Sequence, residues 1–122
     1  MKFAKWVFLI AGIYGVLAVA PLYFFEDQIT RDYPQAITHP EYYYGFAGVT
    51  LAWQIAFLVI ASNPSRFRLM MLPAILEKVT YGIAVSALYS QQRVTSLIMG
   101  FAVVDLVFGV LFVLAFLRTP KT

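Results

Sequence analysis

Four uninterrupted apolar stretches, each long enough to cross a bilayer as a helix, decide what this chain can become. They run from about Phe3 to Phe25, Tyr42 to Ser62, Leu69 to Tyr89 and Val94 to Leu117. A helix rises ~1.5 Å per residue, so about 20 residues cover a hydrocarbon core ~30 Å thick. Strands fit poorly, because the runs are continuous rather than alternating and too few to close a barrel. The expected fold is all-α: an integral membrane four-helix bundle, with residues 1–122 forming one four-span domain and residues 26–41 an outer loop. Composition agrees, since 61% hydrophobic and 12% charged residues leave too little polar surface for a soluble domain of this length.

The first run needs a check against a signal peptide. Lys2 and Lys5 precede it, and Ala18-Val19-Ala20 resembles a cleavage site. Pro21 follows directly and apolar character continues through Phe25, so the run reads as a retained helix. Orientation follows from basic residues. Lys2, Lys5, Arg66, Arg68, Arg118 and Lys121 fall on one side, Arg31 and Arg93 on the other. The richer side is expected to be cytoplasmic, which places both termini there, and a bacterial inner membrane is favoured over the endoplasmic reticulum. Thr38-His39-Pro40-Glu41 reads as a capping box with proline in the first turn of the second span. Ser90-Gln91-Gln92-Arg93 reads as a tight hairpin, making the third and fourth spans antiparallel neighbours.

Several chemistries drop out. There is no cysteine and one histidine, His39, so disulfides, thiolate sites and multi-histidine metal clusters are excluded, and no cofactor or metal site is expected. No nucleophile–base pair or phosphate loop is recognisable, so catalytic residues are not assigned. The formal charge of +3 sits at the ends of apolar runs rather than on a basic face, which argues against nucleic-acid binding.

The informative residues are polar ones inside the spans. Glu77 and Lys78 fall in the third, Asp105 in the fourth. Each costs roughly 2.5–3.5 kcal/mol at a helix centre by insertion scales, so they should meet one another or water. Counting ~1.5 Å per residue from the cytoplasmic ends puts Tyr14, Gln54 and Glu77 about 12–13 Å deep and Asp105 about 16–18 Å. One polar residue from each span therefore reaches one level. Such a layer serves either as a ligand pocket or as a buried cluster that only fixes helix packing. Lys78 lies ~100° round the helix from Glu77 and could instead snorkel toward the headgroups. The paired carboxylates would also suit proton transfer.

Short motifs resemble the EXPERA domain, the group of emopamil-binding and sigma-2-receptor proteins. They are PLYFFED at 21–27 followed by Tyr33-Pro34, WQIAFLVIAS at 53–62, PAIL at 73–76 and FLRTP at 116–120, in order along nearly the whole chain. The resemblance implies a pocket within the bundle, open to lipid, that takes sterols or other lipophilic amines on buried carboxylates. It matches Asp27 to the family's acidic residue after the first helix and Gln54 to its second-helix glutamine. Thr50 stands where that family has a glutamate, and the His and Glu of its sterol isomerases are not evident. Lipophilic binding is thus implied without isomerisation, Glu77 and Asp105 supplying the acidity.

The expected function is a membrane-embedded binding protein, with an enzyme left open, for a lipophilic or sterol-like molecule. Its expected ligand-binding residues are Asp27, Gln54, Glu77 and Asp105, with Tyr14 and Lys78 secondary. The alternatives are a small proton-coupled transporter and an accessory subunit of a membrane complex. Expected partners are membrane lipids or the lipophile, and a homodimer is compatible with four short spans that barely enclose a pocket alone.

Overall fold

The computed structural model describes residues 2–120 of the chain, all of its regular structure helical. Helix α1 (Lys2–Val19) runs into a 3-10 turn at Ala20–Tyr23. A short helix α2 (Glu26–Asp32) sits in the following loop, then α3 (Pro40–Ser62) crosses back. A 3-10 turn (Arg68–Met70) leads into α4 (Met71–Ser90), and α5 (Ser96–Arg118) completes the chain. With their turns these give four candidate membrane spans of 22 or 23 residues, so the protein is a multi-pass integral membrane protein.

Local chemistry explains where the elements depart from expectation. Pro21 has no N–H to donate, so α-helical bonding stops at Val19 and the last turn of the first span tightens. The outer loop is also partly helical. Glu26 and Asp27 stand at the positive end of α2, and Gln28 bridges Asp32 and Arg31 at 3.0 and 2.8 Å. The capping box at Thr38 does not form. His39 is the N-cap, extended and without a side-chain cap bond, while Pro40 occupies the first turn as expected.

The spans associate as two pairs, α1 with α3 and α4 with α5; α1 also meets α5, whereas α3 and α4 scarcely touch. The connection between α3 and α4 lies with both ends of the chain. Arg68 Nε donates to the carbonyls of Phe116 (3.3 Å) and Thr119 (2.8 Å) near the end of α5, and Arg118 lies 4.9 Å over the Phe3 ring. This is the terminal end of the bundle; α2 and the 91–95 turn mark the loop end. Lys121, counted in the charge asymmetry, lies outside the described residues.

Close packing is concentrated toward the terminal end. Phe8, Phe57 and Phe112 are fully buried and meet ring to ring, Phe8 and Phe112 stacked at 4.2 Å and Phe57 at 5.0 Å from Phe112. Ala4, Ala11, Ala61, Ala74 and Ala115 let the backbones approach around them. Lipid tails are as apolar as this core, so the bundle is held by dispersion and polar contacts rather than by exclusion of water.

Candidate functional site

Toward the loop end the packing gives way to the polar layer. Lys78 is 3% exposed. Its Nζ donates to Asp105 Oδ1 across the α4–α5 contact at 3.3 Å and lies 3.6 Å from Glu77 Oε1 on its own helix. The rings of Phe57 and Phe108, with centroids 5.1 and 5.9 Å from Nζ, face the same ammonium. Two carboxylates and two ring faces satisfy the cation in place, so Lys78 points inward rather than snorkelling as the sequence had allowed. Adjacent residues share the site because Lys78 faces the α4–α5 contact while Glu77 borders the neighbouring cavity.

Gln54 of α3 closes the layer opposite them. It is 1% exposed, and its Nε2 donates to the Thr50 carbonyl one turn back at 2.8 Å. Its amide lies directly over Gly15 of α1, where any Cβ would overlap it. An alanine there would have to displace the Gln54 amide. Gln54 Oε1 and Glu77 Oε1 are buried and accept no hydrogen bond. A buried acceptor without a donor costs roughly 1–3 kcal/mol, a cost that falls on Gln54 Oε1, whereas Glu77 Oε1 is offset by the Lys78 ammonium 3.6 Å away.

Gln54 and Glu77 both border a cavity of about 210 Å³. Its floor is polar: Tyr14, Thr50, Gln54, Glu77, Lys78 and Asp105. Its upper walls are Val19, Leu22, Phe46, Tyr81, Ile98 and Phe101, apolar apart from the Tyr81 hydroxyl. Ile98 and Asp105 are seven positions apart on α5, so the cavity reaches about 10 Å down from the loop-end interface. Below the floor the stacked phenylalanines close the bundle. Phe46 and Tyr81, with ring centroids 6.2 Å apart, bridge the seam where α3 and α4 otherwise barely meet.

Of the residues singled out by sequence, Tyr14, Gln54, Glu77, Lys78 and Asp105 border this one cavity. Asp27 does not: it is exposed in the first turn of α2, and its neighbour Glu26 accepts the Tyr44 hydroxyl at 2.7 Å. Pro21 is the physical cause, because it ends α1 early and turns the chain away before Asp27. Tyr43 and Tyr44 of α3 hold the loop, Tyr43 donating to the Leu22 carbonyl. The sequence reading missed Tyr81, Phe46 and Thr50 as lining residues. Tyr81 and Thr50 were within reach, each lying four residues from a polar residue already chosen and so on its helix face. No signal marked Phe46. Among the described residues no group of three or more His, Cys, Asp or Glu could hold a metal ion.

Compared with protein-family models, curated proteins and solved structures, the chain matches none. The reading of the site therefore rests on its geometry.

Proposed function

We propose that this is a membrane-embedded binding protein for a small lipophilic or amphipathic molecule, held with its polar group on the layer of Gln54, Glu77 and Asp105. The observation that carries this reading is a pair of buried acceptors without a hydrogen bond, Gln54 Oε1 and Glu77 Oε1, the latter held only by the Lys78 ammonium at 3.6 Å, beside a cavity with apolar upper walls. Their chemistry asks for a hydrogen-bond donor. The layer also holds two carboxylates against one ammonium, so a neutral or cationic polar group suits it better than an anion. The apolar remainder would lie between Leu22, Phe46, Ile98 and Phe101, toward the lipid.

Size narrows the class. Pockets that enclose a drug-sized ligand measure ~300–1,000 Å³, above the roughly 210 Å³ here. A ligand smaller than a sterol, or one whose tail leaves the bundle, fits better than an enclosed sterol nucleus. A proton-coupled carrier would need a route to the other face, and the stacked Phe8 and Phe112 below the layer favour binding over passage. The basic residues at the terminal end support placing both termini in the cytoplasm, in our reading that of a bacterium.

The chain has no cysteine, so a Thr50→Cys variant carries one thiol, at the cavity floor. N-ethylmaleimide should modify it in delipidated protein, and an organic extract of the native membrane should slow the reaction several-fold. A rate indifferent to the extract would remove the basis for a ligand in this cavity.

A further inference from the structure

The terminal end carries a second recess, unconnected with the polar layer. Between α1 and α5 there is an open groove of about 540 Å³. Lys2 stands at its terminal end, and Trp6, Ile10, Phe108 and Leu111 lie along it; every lining residue but Lys2 is apolar. Arg118 joins Lys2 at this end, its guanidinium 4.9 Å over the ring of Phe3, itself part of the groove wall. Among the described residues neither Lys2 nor Arg118 makes an ion pair or a side-chain hydrogen bond, unlike Arg68, which is committed to the carbonyls of Phe116 and Thr119.

Among the described residues no acidic side chain pairs with them. The six acidic residues are Glu26, Asp27, Asp32 and Glu41, in or beside the outer loop, and Glu77 and Asp105, in the mid-membrane layer. Among the described residues, the charged side chains at the terminal end are all basic. We propose that this groove seats one acyl chain of an anionic phospholipid, with Lys2 and Arg118 holding its phosphate. The dimensions agree: Lys2 to Ile10 spans about 12 Å of helix, close to the ~15 Å thickness of one hydrocarbon leaflet. Charge selects the headgroup. A zwitterionic lipid brings its own ammonium to two cations that lack a counter-ion, whereas a net anionic headgroup supplies one. A second copy of this chain fits worse, because side-by-side packing along this face in one orientation would set basic end against basic end.

Trp6 lies in the groove and is 55% exposed, which makes it a built-in reporter. The sequence has two tryptophans, so Trp53→Phe leaves Trp6 alone. This variant would be placed in phosphatidylcholine vesicles containing a small, equal fraction of bromine-labelled phosphatidylglycerol or bromine-labelled phosphatidylcholine. The anionic lipid should quench Trp6 several-fold more strongly at equal fraction. Adding Lys2→Gln and Arg118→Gln should bring the two lipids close to parity. Should the double change impair insertion, Lys2→Gln alone should still lower the ratio. Equal quenching by both lipids before those changes would overturn the proposal, as would a ratio that survives them.

Discussion

Lys78 is the residue on which the polar layer turns. Removing one member of a buried ionic cluster leaves its partners uncompensated, which costs about 3–5 kcal/mol. Lys78→Met should therefore lower thermal stability in detergent severely, because Glu77 and Asp105 would face each other without a cation. Adding Glu77→Gln and Asp105→Asn to Lys78→Met should restore most of that loss. If Lys78→Met alone proves as stable as the parent, the cluster is not ionic in the membrane. Gly15 makes a second test at this scale. Gly15→Ala pushes a methyl into the Gln54 amide and should cost about 1–3 kcal/mol, while Gly45→Ala, with nothing within 4 Å, should stay within about 1 kcal/mol of the parent. At this scale the sequence was informative about which residues are polar in lipid and at what depth, since rise per residue is fixed. It could not say which way Lys78 points, because that depends on where α5 packs.

At the scale of elements, the turn between α4 and α5 shows how little sequence is needed to fix a hairpin. Arg93 N–H donates to the Leu88 carbonyl and Gln92 N–H to that of Tyr89, at 2.9 Å each, the bonding pattern of a Schellman end. Gln92 occupies the left-handed position with φ of 60°, where glycine is the usual residue. Gln92→Gly should thus raise stability by about 1 kcal/mol, and a drop would mean that the Gln92 side chain has a partner in the membrane. Thr95 caps α5 by accepting the Ile98 N–H at 3.4 Å, so Thr95→Ala should cost ~1 kcal/mol. The four spans were legible because an apolar run of this length has few other fates in lipid. The 3-10 turn at Pro21 was less so, since apolar residues continue through Phe25 and hide a change of backbone. Asp27 was chosen through the EXPERA resemblance rather than from depth in a span, and it stands in the first turn of α2, outside the cavity lining.

Across the whole molecule, the bundle divides into a packed terminal half and a loop-end half with a cavity. Phe8, Phe57 and Phe112 fill the first. In the second, α3 and α4 separate and a polar floor lies under apolar walls. All four spans of a single chain contribute to that cavity, so it does not depend on a second copy. The central claim is that this space holds a specific small molecule, and native mass spectrometry of protein released gently from its membrane tests it most directly. The parent should carry one defined lipophilic mass at one per chain. That mass should be lost both from Ala18→Leu, which fills the cavity wall, and from Gln54→Leu, which removes a free acceptor without touching the charges. Bulk phospholipid alone, bound equally by all three proteins, would contradict the account and leave the buried charges as devices for packing helices.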